Sequence, residues 1–181
     1  MFYNVAQLLK ETEGASRHYR IDGELRDIDE NNPGPVHIEG EVTLVRTPLG
    51  ILATGAVRLK LVQTCRRCLE LTEDVVELII EEEYVPSIDI LTGLPAHIPE
   101  DTDPENIIDE HHLLDLTEAL RQSATIEAGG AGLCRPDCKG LCPSCGSNLN
   151  LGACDCDRTQ LDPRLAVLSS LLGSDDDDNE L

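Results

Sequence analysis

Aromatic residues are nearly absent from this 181-residue chain, which has one Phe, three Tyr and no Trp (Phe2, Tyr3, Tyr19, Tyr84). A single-strand nucleic-acid platform built on stacked bases needs exposed rings, so this reading is weakened at once. The core must instead come from Leu, Ile, Val and Ala, within a 40% hydrophobic composition. Positive charge is also scarce, 14 Lys+Arg against 35 Asp+Glu, for a formal net charge of −21. Such a chain repels phosphate and does not grip RNA, DNA or an anionic membrane through counterion release. Electrostatic association would call for a basic partner, although acidity also serves solubility alone. No apolar run approaches the length of a membrane span, and the first residues lack the basic start of a signal peptide. The expected location is the cytoplasm, with no membrane partner.

The charge is unevenly placed. Residues 1–64 carry −2, residues 65–133 carry −14 and residues 134–181 carry −5. A short amphipathic helix is expected over 4–13 and a strand over 19–25. Past the turn signal Asn31-Asn32-Pro33-Gly34-Pro35, Val36, Ile38, Val42 and Leu44 alternate with polar residues, and Ile51, Ala53, Val57, Leu59 and Leu61 share one side of the next stretch. These make an antiparallel hairpin. A third strand over 71–85 follows, with Val76, Leu78, Ile80 and Tyr84 in step and a solvent face assigned to Glu73, Asp74, Glu77, Glu81, Glu82 and Glu83. Residues 86–105 read as a mobile loop. Asp115 with Glu118 forms a capping-box arrangement that predicts a helix over 116–127. Asp162-Pro163 predicts a last helix ending at Gly173, and the aspartate-rich 174–181 a disordered tail. The expected fold class is α+β: an antiparallel β-rich domain with flanking helices over 1–133, a cysteine-rich zinc module with a helix over 134–173, then the tail.

Eight cysteines fall into four close pairs, Cys65/Cys68, Cys134/Cys138, Cys142/Cys145 and Cys154/Cys156, with none left over. In a reducing compartment such pairs favour metal ligation over disulfides, and four pairs supply two tetrahedral thiolate sites, with zinc the expected ion. Residues 134–156 hold almost no apolar content, so metal would supply the folding energy they lack. Three pairings of the four pairs are open. Loop geometry favours Cys142, Cys145, Cys154 and Cys156 as a local site, which leaves Cys65 and Cys68 with Cys134 and Cys138. The rival joins Cys134, Cys138, Cys142 and Cys145, with Cys65 and Cys68 going to Cys154 and Cys156. An iron–sulfur cluster would also use four cysteines, but the spacing differs from the bacterial run. A zinc-based redox-sensing holdase chaperone is the alternative function for the same sulfurs. His111-His112 and Glu81-Glu82-Glu83 read as solvated groups rather than metal ligands. No Ser/His/Asp constellation, P-loop or His-Glu-x-x-His motif is present, so a non-enzyme is expected.

The segment CRRCLE from Cys65 to Glu70, followed by an acidic strand, and CRPDCKGLCPSCGSNLN from Cys134 to Asn150, closed by Cys154-Asp155-Cys156 and Asp162-Pro163-Arg164-Leu165, together resemble the YceD family of large ribosomal RNA subunit accumulation proteins. The likeness runs over nearly the whole chain except the aspartate tail. It implies a cytosolic, bacterial-type factor needed for accumulation or processing of the 23S rRNA, and it implies no catalytic residue. The family's cysteines carry over onto the eight positions named above. Combined with the charge, the resemblance points to a non-enzymatic zinc-binding factor in large-subunit biogenesis that works through a basic ribosomal protein or a large-subunit precursor. Arg66, Arg67, Arg135 and Lys139 leave a small basic spot at which rRNA contact is conceivable.

Overall fold

The computed structural model describes residues 1–130 and 132–156. The expected helix after Asp162 and the acidic tail lie outside the described residues. Four long strands form an antiparallel meander: β2 (Ser16–Leu25), β3 (Val36–Arg46), β4 (Ile51–Thr64) and β5 (Leu71–Pro86). A two-residue strand, β6 (Ile107–Ile108), joins the end of β5 in parallel, giving the order β2-β3-β4-β5-β6. A separate two-stranded ribbon pairs β1 (Phe2–Asn4) with β7 (Leu113–Asp115).

Period-two alternation fixes which face is buried. Ile51, Ala53, Val57, Leu59 and Leu61 of β4 are all inaccessible, as are Ile38, Val42 and Leu44 of β3. This inner face is covered by α1 (Ala6–Leu9) through Leu8 and Leu9, and by α2 (Thr117–Gly129) through Leu120, Ala124 and Ala128, with Leu114 and Leu116 between them. Tyr84 is the one aromatic among the largest fully buried side chains, so aliphatic packing carries the core. At the centre of the sheet Gly40 and Gly55 lie close against the main chain of the neighbouring strand: an added Cβ would lie 2.2 Å from the Ala56 and Glu41 carbonyl oxygens, respectively.

Several expectations change in detail. The first helix is a single turn. On β5, Asp74 and Glu82 do not belong to the outer face: they alternate in step with Val76, Leu78 and Tyr84 and stay exposed near the ends of the inner face. The outer face instead interleaves Glu73, Glu77, Glu81 and Glu83 with the exposed Leu71, Val75 and Ile79. Asp115 caps α2 from one position earlier than the capping box requires. The α2 N-cap is Leu116, while the Asp115 carboxylate accepts from the Thr117 N–H at 2.9 Å and the Thr117 hydroxyl at 2.5 Å. In 86–105, Ile88 bridges Pro95, and Asp89 accepts the N–H groups of Leu91 and Thr92. This closes a turn that the proline content did not reveal. No helix among the described residues is long and apolar enough to cross a membrane.

Candidate metal centres

β4 and β5 are joined by Cys65-Arg66-Arg67-Cys68-Leu69-Glu70, a tight knuckle. The Leu69 N–H donates to the Cys65 carbonyl at 2.9 Å and the Cys65 N–H to the Glu70 carbonyl at 2.9 Å. The same two bonds recur at Cys142-Pro143-Ser144-Cys145-Gly146-Ser147, from Gly146 to Cys142 at 2.9 Å and from Cys142 to Ser147 at 2.8 Å. The residue after the second cysteine is left-handed in both, with φ of 61° at Leu69 and 74° at Gly146. The two knuckles are thus one turn built twice, each leaving its pair of sulfurs on the same side.

The long-range half of the first group is delivered by α2. The buried Gln63 at the end of β4 donates to the Glu127 carbonyl at 2.6 Å, and the Arg66 N–H donates to the Gly132 carbonyl at 3.2 Å. These bonds hold the chain leaving α2 against the knuckle. Cys134 and Cys138 therefore meet Cys65 and Cys68, with sulfur to sulfur distances of 3.8 Å for Cys65 to Cys138 and 3.5 Å for Cys68 to Cys134. Four thiolates around one tetrahedral ion at a metal–sulfur distance of ~2.3 Å sit roughly 3.8 Å apart. A disulfide would bring two sulfurs to ~2.05 Å, and none of the eight cysteines forms one.

The second group is Cys142, Cys145, Cys154 and Cys156; within each group of four the ligand atoms all lie within 4.8 Å of one another. This is the grouping that loop geometry favours, and the rival grouping is not the one formed. His111, His112 and the Glu81-Glu82-Glu83 run join no such group among the described residues.

The thiols are electrostatically divided. Main-chain N–H groups of Cys134 and Cys68 hold Cys65 down to about 6, whereas burial pushes Cys134 up to about 12. In the second group the N–H groups of Cys145 and Ser144 lower Cys142, and its thiol neighbours, Cys145 first, push Cys156 up to about 12. Crowded thiols cannot all ionise against one another. A bound cation removes that conflict, because each thiolate then faces positive charge. The donor set and its spacing fit one tetrahedral metal ion per group.

Asparagines missed by sequence reasoning join the two centres. Asn150 lies between Cys145 and Cys154, yet its Nδ2 donates to the Cys138 sulfur at 3.3 Å and its Oδ1 accepts from the Lys139 N–H at 2.7 Å. Asn148 holds Asn150 in turn, accepting its N–H at 3.0 Å, and reaches Glu70 in the first knuckle at 3.1 Å. Gly140, with φ of 74°, lets the chain pass against Arg67, whose carbonyl accepts the Leu141 N–H at 3.1 Å. Outer hydrogen bonds of this kind tune metal affinity by about 10- to 100-fold. Asn150→Ala is therefore expected to weaken metal retention at the first centre by about that factor and to leave the second centre within about threefold. Competition against a graded chelator series, with the two centres resolved by Cys142→Ser and Cys65→Ser backgrounds, measures both.

Comparison with known proteins identifies the family. The model of the large ribosomal RNA subunit accumulation protein YceD matches residues 53–172, which span all eight cysteines. Uncharacterized proteins of Mycobacterium tuberculosis and Mycobacterium bovis are 32% identical over 132 residues, covering 71% of this chain and 58% of theirs. The large ribosomal RNA subunit accumulation protein YCED homolog 1 of Arabidopsis thaliana, described as chloroplastic, is 26% identical over 172 residues, covering 84% of this chain and 52% of its own. The chain thus spans just over half the length of these curated relatives. No solved structure matches. With the match running from β4 through both cysteine groups, the chain belongs to the YceD family of large ribosomal RNA subunit accumulation proteins.

Proposed function

We propose that this chain is a non-enzymatic, cytoplasmic zinc-binding factor in large ribosomal subunit biogenesis, and that it supports 23S rRNA accumulation through a basic ribosomal protein. The observation that carries the partner assignment is the charge distribution. A family tied by name to ribosomal RNA is here represented by a chain of −21, whose strand β5 presents Glu73, Glu77, Glu81 and Glu83 to solvent. A surface of that sign attracts Lys- and Arg-rich protein and repels RNA phosphate. Zinc is favoured by four thiolates closing a tetrahedron with no open position, the pattern of a structural site. A multi-iron cluster spreads its cysteines over different iron atoms and would hold the sulfurs farther apart than they stand here.

A second reading rests on Arg66, Arg67 and Lys139, which are exposed beside the first centre. Arg135 lies nearby but is turned to Asp137 at 3.5 Å. These residues offer a small patch through which rRNA could be touched directly. Affinity capture of the tagged chain, with and without nuclease, followed by mass spectrometry and RNA sequencing, separates the two. Retention of a basic ribosomal protein after nuclease is the expected result. Loss of every partner on nuclease treatment would overturn it in favour of the direct-RNA reading.

A further inference from the structure

Among the described residues, the outer edge of β5 has no strand paired to it from Glu73 to Glu83. Its direction follows from Asn32. That buried side chain donates to the Val62 carbonyl at 2.9 Å and accepts the Val62 N–H at 2.8 Å, standing in for the strand that β3 does not extend far enough to supply. Val62 therefore turns its main chain toward the β3 side, and alternation turns the odd-numbered residues of β4 toward β5. Their register partners are the even-numbered residues of β5, from Asp74 opposite Leu61 to Tyr84 opposite Ile51. The odd-numbered residues from Glu73 to Glu83 consequently point their N–H and C=O groups away from the sheet.

β6 takes up this edge only at Val85 and Pro86. The Val75 N–H is covered by its neighbour Asp74 at 2.8 Å, which agrees with the outward direction. No other main-chain hydrogen bond closes the edge between Glu73 and Glu83 among the described residues. An open edge of this kind is a template for another strand.

The side chains along it decide which strand. Glu73, Glu77 and Glu81 recur every fourth residue, with Val75 and Ile79 between them, 58% and 66% exposed. A second copy pairing antiparallel about Glu77 would set Glu73 against Glu81 and Glu77 against itself, and like charges directly opposite destabilise. Arg58 at 3.1 Å and Lys60 at 3.9 Å flank Glu77 and Glu73 from β4. Glu81 and Glu83 have no basic partner among the described residues, so the attraction is strongest at that end.

We propose that the β5 edge docks an extended, basic segment of a protein partner as an added strand, with Lys or Arg at every fourth position across from Glu73, Glu77 and Glu81 and an aliphatic residue across from Val75 and Ile79. The proposal rests on the reading that the partner is a basic protein, and adds where and how it binds.

The test uses the full-length, zinc-loaded chain and a labelled ten-residue peptide with lysine at its first, fifth and ninth positions, valine at its third and seventh, and threonine elsewhere. Two isomers carry backbone N-methyl groups, one on the two valines, whose N–H groups would face β5, the other on two threonines, whose N–H groups would face solvent. The expected result is binding that weakens about tenfold or more on methylation at valine and little on methylation at threonine, and that weakens about tenfold in Glu81→Lys protein. Equal binding of all three peptides would overturn strand addition while leaving a basic partner intact, since charge alone would then suffice. Binding of none, or equal binding when glutamate replaces every lysine, would overturn both.

Discussion

Removing both metal ions with a chelator under reducing conditions is expected to unfold residues 132–156 while the four-stranded meander persists. The described part of that span holds no helix or strand beyond one bridge between Leu141 and Asn148. Its buried cluster consists of Cys65, Cys68 and Cys138, with Leu133, Cys134 and Leu141 packed against them. So few apolar groups cannot offset the backbone entropy of ordering some two dozen residues, at about 1–2 kcal/mol each. Structural zinc sites supply roughly 10–16 kcal/mol apiece in peptides, a term of the same order. The sheet has its own core of Ile, Leu and Val and does not depend on this term. Hydrogen exchange by mass spectrometry, with and without chelator, measures both regions in one experiment. Protection over 132–156 should collapse while that of β3 and β4 stays. Unchanged protection in metal-free protein would show that the sulfur groups fold the module unaided. Single-centre variants add resolution: Cys142→Ser with Cys145→Ser should lower the metal content from two ions to one and free mainly residues 142–156. Cys65→Ser should release the link to α2 as well.

The next largest effect is expected far from the metal centres, at Gly55. Its added methyl would stand 2.2 Å from the Glu41 carbonyl oxygen and 2.9 Å from the Val42 Cα. Both obstacles are main chain, so no rotamer change relieves them. Gly40, opposite Val57 in the ladder, is closed in the same way by Ala56 and Val57. Gly55→Ala must therefore push β3 and β4 apart and disturb the packing of Val42 and Val57 beside it. Overpacking usually costs about 1–3 kcal/mol, and a backbone obstacle belongs at or above the top of that range. For a chain of this size about 3 kcal/mol corresponds to a fall in Tm of roughly 6–12 °C. Thermal unfolding with both centres saturated measures it. Gly129→Ala is the contrast, because nothing lies within 4 Å of its added Cβ and alanine is the better helix former by about 1 kcal/mol. A Gly55→Ala protein that melts with wild type would show that the two strands separate freely there.

Local periodicity made the meander legible. In β4 every second residue from Ile51 to Leu61 is apolar or glycine, and the structure buries the large ones together. The cysteine groups were legible for a related reason: short spacing places two sulfurs on one turn, and loop length ranks the pairings. What sequence could not show depends on residues distant in the chain. β6 is two residues long and pairs in parallel with β5 across a gap of about twenty residues, too little pattern for any period. Asn32 reads as a turn residue, yet it completes the ladder beside Val62. Asn150 reads as a loop residue, yet it donates to a sulfur of the other centre. On β5 the density of acids obscured their parity. Assigning all six to solvent hid Val75 and Ile79, which share the outer face with alternate glutamates.

The partition of ligands between the two centres also sets an order of assembly. The second centre takes all four sulfurs from residues 142–156, a short loop whose closure is fast in an otherwise unfolded chain. The first bridges sulfurs 66 residues apart between Cys68 and Cys134, and a cross-link of that span restricts the unfolded chain by roughly 4 kcal/mol. That closure waits until β4, β5 and α2 have met. With one ion taken up by each group, a folding chain is therefore expected to pass through a species with the second group filled and the hairpin tip still open, so that filling of the first group would report a finished sheet.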